Sequence, residues 1–168
     1  EDGDETARKN RGYFKYDHFL SKQWYVYANT DVQEDKFKDL NLRTTLGGGA
    51  GYQFFETEQR SLSLEGGLTY VNEDYDIAED DSFAAGRWAV RYLQFLLGDT
   101  VQFFHDHEGI VSVEDPDDML FRAQTGFRFP LVKNLSATLQ YNVDWQNNPP
   151  EGFDSTDSAY IVSLGYLW

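Results

Sequence analysis

The sequence contains no cysteine, few basic residues and no long hydrophobic segment. Without cysteine, the chain can form neither a disulfide framework nor a thiolate site for zinc or for nucleophilic catalysis. Its 14 lysines and arginines are outnumbered by 29 aspartates and glutamates, which gives a formal net charge of −15. A chain with this charge repels nucleic-acid backbones, so we expect no nucleic-acid partner.

No apolar segment approaches the roughly 20 residues of a transmembrane helix, and hydropathy alone therefore indicates a soluble protein. Aromatic residues are abundant instead: they make up 17% of the chain, with 13 Phe, 11 Tyr and 4 Trp. Such rings favour β-strands and membrane interfaces. The strands of a membrane barrel escape hydropathy windows, because their lipid-facing and lumen-facing residues alternate. The composition is therefore compatible with a transmembrane β-barrel.

Apolar and polar residues alternate with a period of two along most of the chain, which predicts β-strands. The nine predicted strands cover residues 11–20, 23–35, 41–55, 60–72, 82–97, 100–107, 118–130, 134–145 and 158–168. In the eighth, one face carries Leu135, Ala137, Leu139, Tyr141, Val143 and Trp145, and the other carries Ser136, Thr138, Gln140, Asn142 and Asp144. One face suits lipid and the other suits an aqueous lumen. The sequence therefore predicts one domain over residues 1–168, with an all-β, antiparallel, up-and-down transmembrane β-barrel fold.

The connections between these strands alternate between short turns and long acidic segments. The short turns lie at 21–22, 56–59, 98–99 and 132–134, and the acidic segments at 1–5, 31–39, 72–81, 106–118 and 144–157. Short turns are typical of the periplasmic end of a barrel and long loops of its extracellular end. A bacterial barrel normally has an even number of strands with both termini in the periplasm. Nine strands therefore predict that an odd number precedes residue 1, that residues 1–10 are the remnant of an extracellular loop, and that the whole barrel has 10 or 12 strands.

The last predicted strand carries an alternating apolar series that ends in an aromatic residue. The series consists of Tyr160, Val162, Leu164, Tyr166 and Trp168. It resembles the C-terminal signature of bacterial outer-membrane proteins, in which a terminal Phe or Trp is recognised by the barrel-assembly machinery. The resemblance implies a location in the bacterial outer membrane and contact with its lipid and lipopolysaccharide.

Four further segments carry a resemblance to a family. They are residues 13–17, 39–44 leading into 47–52, 104–106 and 148–152, and they are distributed over nearly the whole chain. They resemble the salt-induced outer-membrane proteins of Gram-negative bacteria, for which no activity is established. Members of that family carry additional strands before this point, with a Gly-Asn-Thr segment that this sequence lacks. The resemblance therefore implies missing N-terminal strands and favours a total of twelve.

Charged and amide side chains occupy the polar faces of the predicted strands. The predicted lumen-lining residues are Arg43, Glu65, Arg87, Arg91, Arg122, Gln124, Arg128, Gln140, Asn142 and Asp144, together with Lys15 and Asp17. Because arginine is frequent among them, one interpretation is a narrow pore whose cationic wall favours anions. The other is that these groups pair with one another and fill the interior, as buried charges must.

Three further motifs give only weak indications of a ligand site. His105 and His107 share one face of a strand, a spacing that can place two imidazoles on one metal ion, although a third ligand must come from elsewhere. The acidic connections could bind divalent cations, but none has EF-hand spacing. Residues 47–51 resemble a phosphate loop only in their glycines, because no Lys-Ser/Thr ending or helix follows. Glycine inside a strand more often makes room for a neighbouring ring.

These patterns favour a barrel with a structural or narrow passive channel role, without catalysis and without a cofactor. A barrel hydrolase or acyltransferase is the enzymatic alternative, and it needs a nucleophile beside His105 or His18. A soluble β-sandwich or lipocalin-like binder is the second alternative, since its strands also alternate. The aromatic C-terminus argues against the soluble alternative.

Overall fold

A computed structural model of the protein describes residues 9–35, 40–77, 79–98, 100–132, 134–149 and 154–166. They form nine strands: β1 (Lys9–Phe19), β2 (Trp24–Asp35), β3 (Leu40–Glu56), β4 (Arg60–Tyr75), β5 (Asp81–Leu96), β6 (Val101–Ser112), β7 (Met119–Val132), β8 (Leu135–Gln146) and β9 (Thr156–Tyr166). Each strand pairs antiparallel with its neighbours in the sequence, in the order β1 to β9. The prediction of an all-β, antiparallel, up-and-down fold with nine strands is confirmed.

The sheet curls into a half-barrel. Its curvature brings strands that are far apart in the sheet within reach of one another: Lys15 on β1 contacts Glu65 on β4, and Arg43 on β3 contacts Gln146 on β8. In the described residues, β1 and β9 are the two edges of the sheet and are not paired with each other. Both strands run in the same direction, so pairing them directly would place a parallel contact in an otherwise antiparallel sheet.

The two faces of the sheet have inverted polarity. The concave face buries polar and charged side chains, among them Asn29, Asp31 and Glu65, which are at most 4% exposed. The convex face exposes large apolar side chains, such as Leu68 (70%) and Val162 (76%). A water-soluble protein shows the opposite distribution and rarely exposes large apolar patches. No helix long and apolar enough to span a membrane occurs in the described part of the chain.

A small apolar cluster occupies the concave face near the end of the sheet that carries the acidic connections. It contains Val71, Phe83, Ala85 and Ile110, with Leu120 packed against them. Its members belong to β4, β5, β6 and β7, and Val71 and Ala85 are fully buried. Apolar side chains therefore occupy part of the interior at this end.

Strand β6 extends five residues beyond its predicted end at residue 107. Glu108 consequently lies in a strand and not in the acidic segment 106–118 to which the sequence assigned it. Asp106, which the sequence placed both in that segment and in the predicted strand, lies in the strand. Both have partners on the concave face: Asp106 accepts a hydrogen bond from Gln124 (3.0 Å), and Glu108 forms an ion pair with Arg87 (2.6 Å). The ion pair offsets the charge of Glu108, and the hydrogen bond from the Gln124 amide stabilises the carboxylate of Asp106.

The glycines of β3 make room for two tyrosine rings on the concave face. A Cβ atom added at Gly51 would collide with the ring of Tyr25, and one added at Gly49 would meet the hydroxyl of Tyr27. Both tyrosines are at most 5% exposed. The structural interpretation of residues 47–51 is therefore confirmed.

Replacing Gly51 by alanine is expected to lower the free energy of unfolding by about 1–3 kcal/mol, because the buried Tyr25 ring must move to admit the methyl group. Gly66→Ala is the matched control, because an added Cβ there meets nothing within 4 Å. We expect the control to change stability by no more than about 0.5–1 kcal/mol, in the stabilising direction. Urea unfolding of the refolded full-length protein measures both. Equal losses in the two variants would contradict the close contact.

Candidate functional site

A cluster of charged side chains surrounds Glu65 on the concave face. The Glu65 carboxylate contacts Lys15 Nζ at 2.6 Å, Arg87 Nη1 at 3.0 Å and Arg91 Nη1 at 3.3 Å, and it accepts a hydrogen bond of 2.9 Å from the Tyr25 hydroxyl. We call these five residues the Glu65 cluster. Because they come from β1, β2, β4 and β5, the cluster ties four strands together across the curve of the sheet.

A second cluster surrounds Arg122, which reaches from β7 across the interior to β2. Its guanidinium donates a hydrogen bond to Gln33 Oε1 and lies 3.6 Å from Asp31, 3.6 Å from Asp144 and 4.0 Å from Glu108. We call these five residues the Arg122 cluster. The three carboxylates belong to three different strands, and all lie beyond ordinary hydrogen-bond distance.

Arg43 crosses the interior at the end of the sheet that carries the acidic connections. It forms an ion pair with Glu73 on β4 (2.5 Å) and donates a hydrogen bond from Nη2 to Gln146 Oε1 on β8 (3.2 Å). The side chains of Arg43 and Glu73 are at most 7% exposed. Together with the apolar cluster, this contact narrows the concave side at that end and leaves a small cavity of about 180 Å³ beside Glu73 and Gln146.

Four of the five predicted lumen-lining arginines are paired with carboxylates on the concave face. Arg43, Arg87, Arg91 and Arg122 each lie within 4.0 Å of at least one carboxylate. Arg128 is more exposed: it donates a hydrogen bond to Gln102 (2.6 Å) and lies over the ring of Phe104. This pairing favours the interpretation in which the inward charges fill the interior over that of a net cationic wall.

A cavity of about 670 Å³ remains between β1 and the wall formed by β5 to β9. Four arginines and four carboxylates line it, together with the amides Gln124 and Asn142 and the ring of Tyr13. Gln140 connects the two amides, since its Nε2 donates to Asn142 Oδ1 (2.6 Å) and to Gln124 Oε1 (3.3 Å). The cavity is therefore polar and carries both hydrogen-bond donors and acceptors.

The structure places all of the predicted lumen-lining residues on the concave face. Residues that lie opposite each other on neighbouring strands point to the same face. Arg122 on β7 lies opposite Asp144 on β8, and Gln124 lies opposite Asn142. Sequence reasoning missed the β2 residues Asp31 and Gln33 as site residues. Asp31 and Gln33 are two residues apart and therefore share one face of the predicted strand 23–35. Nothing in the sequence shows that Arg122 would reach them.

Tyr160, Val162, Leu164 and Tyr166 lie on the convex face and are between 62% and 85% exposed. Trp168 lies outside the described residues. Recognition of this strand by the assembly machinery stays a prediction.

His105 and His107 share one face, as predicted, and that face is the convex one. Nε2 of His105 lies 3.0 Å from Nδ1 of His107, and Nδ1 of His105 lies 2.6 Å from the Thr125 hydroxyl. Within the described ranges, no group of three or more His, Cys, Asp or Glu side chains is arranged to hold a metal ion, at these histidines or at the acidic connections. The structure therefore supplies two candidate metal ligands here without a third.

Thr125 beside His105 also bears on the enzymatic alternative, because a hydroxyl within hydrogen-bond distance of an imidazole can act as a nucleophile. Acyl transfer also needs hydrogen-bond donors, from backbone N–H groups or side chains, aimed at the developing oxyanion. The backbone around Thr125 is paired in the regular β6–β7 ladder, so its own N–H groups are engaged in the sheet.

The family model described as "Protein of unknown function, DUF481" matches residues 1–168. Among solved structures, the NanC porin is similar to this chain with a TM-score of 0.64 and 11% sequence identity, over 95% of this chain and 79% of that one. At this identity the likeness concerns the fold alone. No curated protein sequence matches this chain significantly.

Proposed function

Because the chain belongs to the DUF481 family, whose function is unknown, and shares the fold of a porin, we propose that it is an outer-membrane β-barrel protein with a structural or narrow passive channel role and without catalysis. Its convex face contacts outer-membrane lipid and lipopolysaccharide, and its last strand engages the barrel-assembly machinery. The complete barrel has 10 or 12 strands. The inverted polarity of the two faces supports membrane residence, because lipid replaces water around the apolar convex side chains.

The single observation that carries the proposed role is the bridging of the interior by side chains. Arg122 spans from β7 to β2, and Arg43 spans from β3 to β8. A wide aqueous pore needs these strands to be separated by water. Side chains that meet across the lumen leave at most a narrow path, as in small barrels filled by their own residues.

Replacing Arg122 by alanine is expected to raise the conductance of the full-length protein in planar lipid bilayers several-fold, because it removes the side chain that connects β7 to β2. The wild-type protein is expected to show small conductance steps if the role is that of a narrow channel and none if it is structural. Arg60→Ala is the control, because Arg60 is exposed beside a short turn and lies over the ring of Phe55. Large wild-type steps that Arg122→Ala leaves unchanged would contradict the proposal.

A further inference from the structure

Arg128 differs from the other predicted lumen-lining arginines, because it has no carboxylate partner among the described residues. Each of the other four lies within 4.0 Å of a carboxylate. Arg128 instead donates a hydrogen bond from Nη1 to Gln102 Oε1 (2.6 Å), and its guanidinium carbon lies 5.6 Å from the ring centre of Phe104. Its side chain is exposed on the concave face. The charge of Arg128 is therefore accessible to a ligand.

Arg128 belongs to a row of polar side chains that crosses four neighbouring strands on the concave face. Gln102 on β6 lies opposite Arg128 on β7. Arg128 in turn lies opposite Thr138 on β8, which lies opposite Ser163 on β9. We call these four residues the Arg128 row. Side chains at opposite positions point to the same face, with Cβ atoms about 4.5–5.5 Å apart. Because adjacent strands build the row, the pairing of the sheet fixes it, whatever lies across the interior.

The Arg128 row presents mainly hydrogen-bond donors. The guanidinium of Arg128 uses Nη1 for Gln102, so Nε and Nη2 have no partner among the described residues. The same hydrogen bond occupies Oε1 of Gln102 and leaves its amide nitrogen as a donor. Thr138 and Ser163 add two hydroxyl groups, each of which can donate a hydrogen bond. A ligand that accepts several hydrogen bonds matches these groups.

The carboxylates of these four strands lie toward the opposite end of the sheet. Gln102 is the second residue of β6, and Asp106 lies four residues further on, about 13 Å away at roughly 3.3 Å per residue. Strand β7 contains no Asp or Glu, and the Asp residues of β8 and β9 lie six residues from Thr138 and Ser163. The charge around the Arg128 row is therefore locally positive, which attracts anions.

We propose that the Arg128 row binds the phosphate group of a small solute in the lumen. The inference rests on the proposed barrel function and names the solute class. A guanidinium matches two oxygens of a phosphate group with two parallel N–H donors. A third phosphate oxygen can accept a hydrogen bond from the hydroxyl of Thr138, whereas a carboxylate has only two oxygens. The dissociation constant is about 1–10 mM, as suits a water-exposed site on a passive path.

The test follows the arginine side chains of the full-length protein by NMR, with isotopically labelled arginine and a detergent without a phosphate headgroup. Inorganic phosphate is titrated at constant ionic strength, which is maintained with chloride. We expect the Nε–H signal of Arg128, assigned by its loss in Arg128→Gln, to shift and to saturate. Acetate should bind about tenfold more weakly, because it offers fewer acceptor oxygens and less charge.

Arg60 is the internal control, since it is also exposed near a short turn and also lies over a ring, 4.8 Å from the centre of Phe55. Its Nε–H signal should not saturate over the same range. Thr138→Val is expected to weaken phosphate binding about threefold, because it removes one hydroxyl donor and preserves the shape. Thr44→Val is the matched control, because Thr44 lies on the convex face of β3.

An Arg128 signal that does not saturate, or that shifts no more than the Arg60 signal, would overturn the site. Acetate binding as tight as that of phosphate would overturn the phosphate class, and equal affinities of Thr138→Val and Thr44→Val would overturn the contribution of the row. Gel migration and membrane fractionation of the same protein keep these results separate from the proposed function. A folded outer-membrane barrel without phosphate binding overturns the site alone, whereas a soluble protein that binds phosphate overturns the barrel function alone.

Discussion

Replacing Leu68 by arginine is expected to lower the free energy of unfolding of the full-length protein in lipid vesicles by about 2–4 kcal/mol. Leu68 lies in the middle of β4 on the convex face, where 70% of its surface is exposed. If lipid surrounds this face, the variant must place a guanidinium in the hydrocarbon layer. If water surrounds it, the same change is an ordinary surface substitution and costs less than about 0.5 kcal/mol. Urea unfolding in vesicles measures the difference.

Ile77→Arg is the matched control for Leu68→Arg. Ile77 is also an exposed aliphatic side chain (89%), but it lies in the connection that follows β4. We expect its replacement to change stability by no more than about 0.5 kcal/mol, because a connection beyond the strands lies in water. Equal effects in the two variants would contradict a lipid-exposed convex face.

Replacing Glu65 by glutamine is expected to lower the free energy of unfolding by about 3 kcal/mol, because it removes a buried carboxylate and leaves the facing cations without it. The side chain of Glu65 is 1% exposed and contacts Lys15, Arg87 and Arg91. Glutamine preserves the volume, so the loss reports the charge rather than a cavity. The same unfolding measurement applies, and we expect the loss to persist in 1 M salt, because buried pairs are screened little.

Glu58→Gln is the control for charge removal, because Glu58 is exposed in the turn between β3 and β4. Its replacement should change stability by less than about 0.5 kcal/mol. If Glu65→Gln were equally mild, the Glu65 cluster would be water-filled and would not tie the strands together.

The sequence predicts the existence, the order and the faces of the strands because the side-chain period of a strand is two. In β8 the alternation of Leu139 and Tyr141 with Gln140 and Asn142 identifies the two faces without further information. The end of β6 was missed for a physical reason. Glu108 places charge beyond residue 107, where an outer connection was expected, and its ion pair with Arg87 makes an inward position favourable.

The contacts across the interior could not be predicted from the sequence. Alternation assigns Arg122 and Gln33 to the polar faces of their strands, but 89 residues separate them along the chain. Whether they meet depends on how strongly the sheet curls. The sequence suggested a cationic wall because only the arginines were counted. Whether an arginine is paired depends on which carboxylates lie near it in the folded sheet, and Asp31 and Asp144 lie near Arg122.

Fractionation of cells that express the full-length protein tests the central claim most directly. If the chain is an outer-membrane β-barrel, the protein must sediment with outer membranes and resist alkaline extraction. It must also migrate faster on gels before heating than after it, because a closed barrel stays folded in cold detergent. Recovery as a soluble periplasmic monomer, with one migration at both temperatures, would contradict this account.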